Sequence, residues 1–439
     1  MNTETEKGMW RLTPGDIDRE GLSPLRHTMT NGKTLFLFPD NHIEIVKLDF
    51  VFEAGSALQD KKIQSLAAVK MLTSGTSRHT AREIAEFMDF RGIVIEQTND
   101  SVSATMTVYS HSRYLEELLP LLYELITDSV YPDSEFEVFV AKRKQQLQTN
   151  MKKTSYRARL AYYEALYGKD NPLGTYAFPE DLDRLTVSDV RRFHDEYLTL
   201  SRLSLVMAGN VSDKAVALAG SLFGTAPVAG YQPVTLPEPL SPATGVISVE
   251  MPDAVQNSLR VGRILPLAWD GMDYACFMVL TTVLGGYFGS RLMSNIREDK
   301  GYTYGINAMT QIYRGSLVFH IITDVASDKA DATVAEVFKE VRRLCDEPVS
   351  REELELVRNC MLGDFMRSID GIFERSERFC QLMTAGISER FTDNLMSVLD
   401  PEGPDCITSS KLQEQASRFL DPSQLLVVSA GGPIGSRFS

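Results

Sequence analysis

The sequence runs through the same order of predicted elements twice, and this internal repeat constrains the fold more than any other feature. The first half ends in YLTLSRLSLVMAG (residues 197–209) and the second in FLDPSQLLVVSAG (residues 419–431), which match in residue type at most positions. Each segment predicts a helix end, a turn and a buried strand closed by Ala-Gly. A repeat this long indicates a duplicated domain, because solenoid repeats are much shorter.

The elements upstream of these ends also correspond between the halves. Each half has a long predicted helix with an acidic start, at residues 132–151 and 349–366, for which Asp133 and Ser350 are candidate N-caps. The predicted strands are TLFLFPD, HIEIVKLDFVFEAGS and IVIEQTNDSVSATMTVYS in the first half, and GVISVEM, QNSLRVGRILP and YTYGINAMTQIYRGSLVFHIITDV in the second. We therefore expect an α+β protein with two tandem homologous domains, each a mostly antiparallel sheet covered by helices.

A change of composition divides the two halves. Residues 226–245, APVAGYQPVTLPEPLSPATG, are rich in Pro, Gly and Ala and show neither helical nor strand periodicity. We interpret them as a linker between an N-terminal domain, residues 1–225, and a C-terminal domain, residues 246–439.

Charge and cysteine usage disfavour several classes of protein. The net charge of −14 disfavours nucleic acid as a partner, because phosphate binding needs a basic surface. The five cysteines lack C-x-x-C spacing, which indicates free thiols in a reducing compartment. No secretory signal is visible in MNTETEKGMW, and the most apolar window, residues 274–289, is too short to span a bilayer. We expect a cytoplasmic protein that does not enter the membrane.

Residues 63–92, IQSLAAVKMLTSGTSRHTAREIAEFMDFRG, predict two amphipathic helices joined by a Gly-Thr turn. This stretch resembles the pitrilysin/insulinase-type metallopeptidases, the inverzincins, whose first helix carries H-x-x-E-H ahead of a Gly-Thr pair. With the Gly-Thr pairs superposed, Leu66, Val69 and Lys70 take the positions of the first His, the Glu and the second His. Leu and Val offer no lone pair, and Lys places a cation where the metal's charge belongs.

The resemblance implies a member of the family that holds no zinc of its own. The family takes its third ligand, a Glu, from the long helix that follows, yet residues 138–163 contain no Asp or Glu. We expect Leu66 and Val69 to point into a core or a cavity wall instead. His194, in the helix VSDVRRFHDEY, is expected on an exposed face with no catalytic role.

The segment LGGYFGSRLMSNIREDKGYTYGI, residues 284–306, resembles the family's second-domain segment. The Arg and Tyr that face the active-site chamber in that family map onto Arg297 and Tyr304. A guanidinium can grip a peptide carbonyl or carboxylate, and a phenol can donate to a developing oxyanion. The alternative is that Arg297 forms an ion pair with an acid such as Asp299 while Tyr304 packs within a strand.

The glycines of this segment, Gly285, Gly286 and Gly289, match neither G-x-G-x-x-G nor a P-loop. A helix C-cap followed by a tight turn accounts for them. Their place resembles the Gly-rich segment that lines the chamber in partner subunits of processing peptidases, although this one is short.

The resemblance covers essentially the whole chain and implies a processing-peptidase-like roll in each half. It also implies a catalytically silent, substrate-binding subunit of a heterodimeric zinc metallopeptidase that acts on peptides or unfolded segments. An H-x-x-E-H-bearing homologous partner would supply zinc, and this chain would contribute Arg297 and Tyr304. Two alternatives stay open: a structural or assembly scaffold, and a homodimeric peptide-binding protein with no peptidase role. In each case we expect no peptidase activity from the chain on its own.

Overall fold

The computed structural model describes residues 12–17, 19, 21–226, 233–239 and 243–435. Within these residues, one sheet lies in the first half of the chain and one in the second, and helices cover both. The first sheet has the strand order β1-β2-β6-β3-β5-β4 and the second has the order β7-β11-β8-β10-β9. The two orders are the same except that the first sheet has an additional outer strand, β1.

The strands form mostly antiparallel pairs, and each sheet has one parallel pair, β2 with β6 and β7 with β11. Their bounds are β1 Leu25–Thr28, β2 Thr34–Pro39, β3 Ile45–Phe52, β4 Val94–Asn99, β5 Ala104–His111, β6 Leu203–Gly209, β7 Gly245–Glu250, β8 Gln256–Leu265, β9 Thr303–Tyr313, β10 Ser316–Ala326 and β11 Leu426–Gly431. The central strands β3, β6 and β11 are buried on both faces, whereas β5 alternates between buried and half-buried positions.

The helices follow the same repeat. Their bounds are α1 Gln64–Lys70, α2 Ala81–Arg91, α3 Leu115–Thr127, α4 Asp133–Asn150, α5 Thr154–Tyr167, α6 Val187–Tyr197, α7 Asp213–Phe223, α8 Met272–Thr281, α9 Ala330–Asp346, α10 Arg351–Arg367, α11 Ile372–Ala385, α12 Phe391–Leu399 and α13 Ser409–Phe419. Two π-helical segments, Thr282–Gly286 and Met293–Asp299, follow α8. The predicted α+β fold with a repeated element order is confirmed.

The two halves exchange one helix each. Helix α5, from the first half, packs on β8 and β11 of the second sheet, where Tyr162 and Tyr167 join a buried cluster with Val428. Helix α11, from the second half, packs on β6 and β2 of the first sheet, where the Phe379 ring contacts Phe36. Each sheet therefore has its own helices on one face and a helix from the other half on the opposite face.

The backbone conformation of Gly209 and Gly431 explains why both halves end in Ala-Gly. Gly209 and Gly431 close β6 and β11 with φ of 98° and 146°, a region that favours glycine. A Cβ at Gly209 would lie 2.2 Å from the carbonyl oxygen of Ile45 on the neighbouring strand. The repeat thus preserves a close approach between strands.

Of the two candidate N-caps, one is observed and one is wrong. Ser350 caps α10, since its hydroxyl accepts from the backbone N–H of Glu353 at 3.1 Å. Pro132, not Asp133, occupies the N-cap position of α4, and Asp133 is the first helical residue. The helix dipole favours acidic residues in the first turn. Both helices therefore begin with acidic residues, although their N-cap residues differ.

Part of the predicted linker lies outside the described residues, namely 227–232 and 240–242, as does the N-terminal MNTETEKGMW segment. The described part, residues 233–239, is irregular and is held against the first half. The backbone N–H of Val234 donates to Glu53 at 3.1 Å, and Asn171 donates to the carbonyl of Pro237 at 3.1 Å. The proposed domain limits, residues 1–225 and 246–439, remain a prediction.

Candidate functional site

Helix α1 carries Leu66, Val69 and Lys70, the three residues that the family resemblance places at zinc-motif positions. Val69 is 0% exposed and lies in the core of the first half, and Leu66 is partly buried against the same core. Lys70, at the end of the helix, is exposed to solvent. None of the three side chains has the character of a zinc ligand, so the residues at these positions do not fit the metal.

The polar groups of α1 are engaged within the fold. The Gln64 side chain donates to the carbonyl of Asp189 at 2.7 Å, and the Ser65 hydroxyl donates to the carbonyl of Ala54 at 2.8 Å. Across the described residues, no group of three or more His, Cys, Asp and Glu side chains is arranged to hold a metal ion. We therefore derive no catalytic step through a metal on this chain.

His194 does not lie where the sequence pattern suggested. It is 7% exposed, and its Nδ1 lies 2.6 Å from the hydroxyl of Tyr131. Burial lowers the pKa of its imidazole. The prediction of an exposed His194 is wrong because α6 turns Val190, Phe193 and His194 toward the interior, where it packs on α1.

Arg297 lies in the π-helical segment Met293–Asp299 of the second half. The adjacent Ile296 is fully buried and anchors the segment in the core. Asn295 fixes it further by donating to Glu336 at 3.0 Å and to Glu340 at 2.7 Å. Single π-helical turns occur frequently at functional sites, because they displace one side chain from the regular helical order.

The Arg297 guanidinium contacts an aromatic ring and forms no ion pair among the described residues. Its central carbon lies 4.5 Å from the centre of the Phe288 ring, a cation–π contact with a side chain that is itself exposed. No carboxylate among the described residues forms an ion pair with Arg297. The alternative pairing with Asp299 is thus not observed, although this alone assigns no role to the arginine.

Tyr304 is 93% exposed at the start of β9. The register between β9 and β10 shifts at this point, since Ile306 pairs with Thr323 and Thr303 pairs with Val325, which places one extra residue on β9. A bulge of this kind redirects side chains near a strand end. The alternative that Tyr304 packs within the sheet does not hold.

Two threonines stabilise the bulge beneath Tyr304. The Thr303 hydroxyl donates to the carbonyl of Asp324 at 2.8 Å and accepts from the backbone N–H of Gly305 at 3.1 Å. The Thr323 hydroxyl donates to the carbonyl of Gly305 at 2.9 Å. The backbone that carries the phenol is therefore held by hydrogen bonds while the phenol itself reaches solvent.

The glycine cluster serves close packing. A Cβ at Gly285 would lie 2.7 Å from the backbone nitrogen of Ala308 on β9, and one at Gly286 would lie 3.2 Å from the side chain of Thr282. At Gly289 a Cβ would lie 2.9 Å from the Tyr287 ring. The cluster allows the first π-helical segment to approach β9 and forms no phosphate cradle.

The described residues were also compared with the expectations about the membrane and about disulfides. Across the residues that the structure places, no helix combines the length and the apolar character needed to cross a bilayer. The five cysteines are free thiols.

Comparison with known proteins gives consistent matches. The family model described as "Peptidase M16 inactive domain" matches residues 184–361. A zinc protease homologue from Rickettsia bellii is 24% identical over 80% of this chain and 84% of its own length. The protein described as "Non-peptidase homolog YmxG" from Helicobacter pylori is 22% identical over 85% of this chain and 88% of its own length.

Solved structures share the fold. A peptidase M16 inactive domain from Pseudomonas fluorescens superposes with a TM-score of 0.83, 18% identity, and coverage of 94% of this chain and 99% of that one. A protease from Helicobacter pylori gives a TM-score of 0.83 at 17% identity, covering 94% of this chain and 100% of that one. A chain of complex III2 from Candida albicans gives 0.73 at 14% identity, with coverage of 93% and 95%.

The fold and the match to the M16 inactive domain support a catalytically inactive peptidase homologue. Residues 184–361 thus match the inactive domain of the M16 peptidases, and most of the chain is similar to proteins described as zinc proteases and as a non-peptidase homologue.

Proposed function

We propose that the chain is the substrate-binding subunit of a heterodimeric zinc metallopeptidase that acts on peptides or unfolded segments. A homologous partner with an intact H-x-x-E-H would supply the zinc, its ligands and the general base. This chain would supply Arg297, Tyr304 and part of the wall around the substrate. The free cysteines support a reducing compartment such as the cytoplasm.

The observation that supports the proposal is the environment of Arg297 and Tyr304. Among the residues that the structure describes, no carboxylate pairs with the Arg297 guanidinium, and Tyr304 is 93% exposed. The segments that carry the two side chains are held by hydrogen bonds of Asn295 and Thr303. Functional groups held on a rigid support are typical of binding sites.

The chemistry required of these two residues is binding and charge stabilisation. Arg297 would orient the peptide through its directed donors, and Tyr304 would donate a hydrogen bond to the scissile carbonyl as its oxygen gains negative charge. The peptide itself would bind in an extended form by adding a strand to a sheet edge. In the second sheet, β9 is an edge strand and carries Tyr304.

The test is reconstitution with a homologous H-x-x-E-H chain from the same organism. We expect no hydrolysis of an unstructured peptide by this chain alone and hydrolysis by the mixture. Arg297→Ala and Tyr304→Phe should each lower kcat/KM of the mixture by about 10-fold or more, equivalent to about 1.4 kcal/mol of lost transition-state stabilisation. Arg82→Ala is the matched control, because Arg82 is exposed and pairs only locally with Glu86 at 2.7 Å.

The alternatives give different results in the same assay. A scaffold subunit would give a mixture whose activity is indifferent to both substitutions. A homodimeric peptide-binding protein would self-associate and bind peptide, and it would gain no hydrolysis when the second chain is added. Either result would overturn the proposal.

A further inference from the structure

The guanidinium of Arg297 lies against an aromatic ring. Its central carbon is 4.5 Å from the centre of the Phe288 ring, within the range of a cation–π contact. Arg297 is half-buried, and across the ranges that the structure describes its guanidinium forms no hydrogen bond and no ion pair. Within these residues, the Phe288 ring is therefore the group that orients the guanidinium.

Phe288 points away from the core because its neighbour points inward. Phe288 is 62% exposed, whereas Tyr287 is half-buried and packs against the hydrophobic core of the second half. The backbone of Tyr287 is extended, with φ of −147° and ψ of 171°. Successive side chains of an extended chain point in opposite directions, so the packing of Tyr287 directs Phe288 outward.

The turn that follows Phe288 is tight. The carbonyl of Tyr287 accepts from the backbone N–H of Ser290 at 3.1 Å, and Ser290 is 1% exposed. A Cβ at Gly289 would lie 2.9 Å from the Tyr287 ring, so this position favours glycine. Contacts on both sides of Phe288 therefore keep the base of its side chain in place.

The backbone that carries Arg297 is held as well. Ile296 is fully buried, and its carbonyl accepts from the backbone N–H of Tyr302 at 3.0 Å. Asn295 donates to Glu340 at 2.7 Å. The ring and the guanidinium thus meet on two held backbones, and only the side chains reach outward.

A ring partner differs from a carboxylate partner in the donors that it leaves free. A guanidinium is planar, and its N–H groups point outward in that plane. A carboxylate takes two of these donors in paired hydrogen bonds, whereas a ring over the guanidinium takes none of them. A contact that restricts the long Arg side chain before a ligand arrives also reduces the rotamer freedom that binding removes.

We propose that Phe288 is a positioning residue for Arg297. Its ring holds the guanidinium in one orientation and leaves the N–H donors to the carbonyl or carboxylate of a bound peptide. This inference rests on the substrate-binding role proposed above and adds to it a residue that acts through Arg297. A substitution that removes the aromatic face should release the guanidinium, and one that keeps an aromatic face should hold it.

The contact is tested by NMR on the isolated chain with isotopically labelled arginine. Protons above an aromatic ring resonate upfield, and the Arg297 signals are those that disappear in Arg297→Lys. We expect Phe288→Leu to move the Hδ and Hε signals of Arg297 downfield, toward those of exposed arginines, and Phe288→Trp to keep them upfield. Unchanged signals in Phe288→Leu would overturn the inference.

Phe178→Leu is the matched control for this measurement. Phe178 is also exposed, at 44%, and its ring lies beside Tyr176 in the first half. Its substitution should leave the Arg297 signals where they are. A downfield shift in Phe178→Leu equal to that in Phe288→Leu would show a general change of the fold and would overturn the inference.

A double-mutant cycle in the mixture with the H-x-x-E-H chain separates positioning from a structural role. Phe288→Leu should lower kcat/KM by about 3-fold or more, whereas Phe288→Trp should keep most of the activity. In the Arg297→Ala background, Phe288→Leu should change kcat/KM by less than about 1.5-fold, because the group that it positions is gone. An equal loss in both backgrounds would overturn the inference, since a structural fault lowers activity whether or not the arginine is present.

The two proposals can fail separately. Hydrolysis that falls with Arg297→Ala and not with Phe288→Leu would leave the subunit role intact and overturn the positioning role. Hydrolysis that is indifferent to Arg297→Ala, or absent from every mixture, would overturn both, because no substrate would then depend on the guanidinium. The NMR signals of the isolated chain would in that case still show whether the ring orients Arg297.

Discussion

The hydroxyl of Tyr131 lies 2.6 Å from Nδ1 of His194 and donates to the carbonyl of Ala68 at 3.0 Å. Through this one buried oxygen, the segment before α4 and the helix α6 both hold α1. The same two residues also form an edge-to-face ring contact, with centroids 5.5 Å apart. Helix α1 is thus fixed to its neighbours by hydrogen bonds and ring packing.

Tyr131→Phe should lower the free energy of unfolding by about 1–3 kcal/mol, because the Ala68 carbonyl and the His194 nitrogen would each lose a buried partner. Chemical denaturation at pH 7 measures this. Tyr123→Phe is the matched control, since the Tyr123 hydroxyl makes no hydrogen bond within the described residues, and it should change stability by less than about 0.5 kcal/mol. Equal effects of the two substitutions would contradict the expectation.

The buried pair Lys47 and Asp49 should be sensitive to the loss of one partner. Their charged atoms lie 3.0 Å apart on β3 beneath α11, and Thr107 donates to Asp49 at 2.7 Å. Asp49→Asn would leave the Lys47 charge buried and unpaired, and we expect a loss of about 3–5 kcal/mol in urea unfolding. Combining it with Lys47→Met should restore most of this loss. If the double variant is no more stable than the single one, the pairing does not account for the effect.

High pH gives a second readout of the same pair. Burial alone would lower the pKa of Lys47, but the Asp49 carboxylate outweighs it and the pKa is raised above 10.5. The stabilisation is therefore fully present below pH 10.5 and is lost as the pH rises through the higher folded-state value. We expect the wild type to lose more stability above pH 10.5 than the double variant does.

His320 should make the protein sensitive to acid. Burial, assisted by the Arg260 charge, lowers the pKa of His320 from 6.5 to about 4. Between these values the unfolded chain binds the extra proton, so stability is present above pH 6.5 and falls as the pH drops toward 4, by about 3 kcal/mol in total. Urea midpoints at several pH values should show a smaller decline for His320→Leu than for the wild type. Parallel declines would show that other groups control acid unfolding.

Gly285→Ala should disturb the approach of the first π-helical segment to β9. The new Cβ would lie 2.7 Å from both the nitrogen and the Cβ of Ala308, and we expect a loss of about 1–3 kcal/mol. Gly363→Ala is the opposite case, because Gly363 lies within α10 with open space at its Cβ. That change should stabilise by about 0.5–1 kcal/mol, as measured by thermal unfolding. A stabilising Gly285→Ala would contradict the packing described.

Much of the fold is predictable because its signals are local. Alternation and Ala-Gly ends predict the strands, and capping patterns such as that of Ser350 predict helix starts. The helix exchange is not predictable in this way, since an apolar face on α5 or α11 does not specify which sheet it covers. The pattern of α6 likewise did not reveal that His194 is buried.

The candidate site shows the same division between local and tertiary information. The assignment of Leu66, Val69 and Lys70 to zinc-motif positions, and the choice of Arg297 and Tyr304 as candidates, come from the family resemblance of the sequence and stay predictions. Neither the π-helical segment under Arg297 nor the bulge under Tyr304 follows from it, because both depend on neighbouring elements.

The helix exchange also bears on how a repeated chain of this kind can arise. If either half were made alone, one face of its sheet would be bare, because the helix that covers it belongs to the other half. Two copies of one half could cover each other's bare sheet face by exchanging that helix about a twofold axis. The duplicated chain thus has the architecture of a swapped dimer joined end to end, and its single-half ancestor would have been an obligate pair.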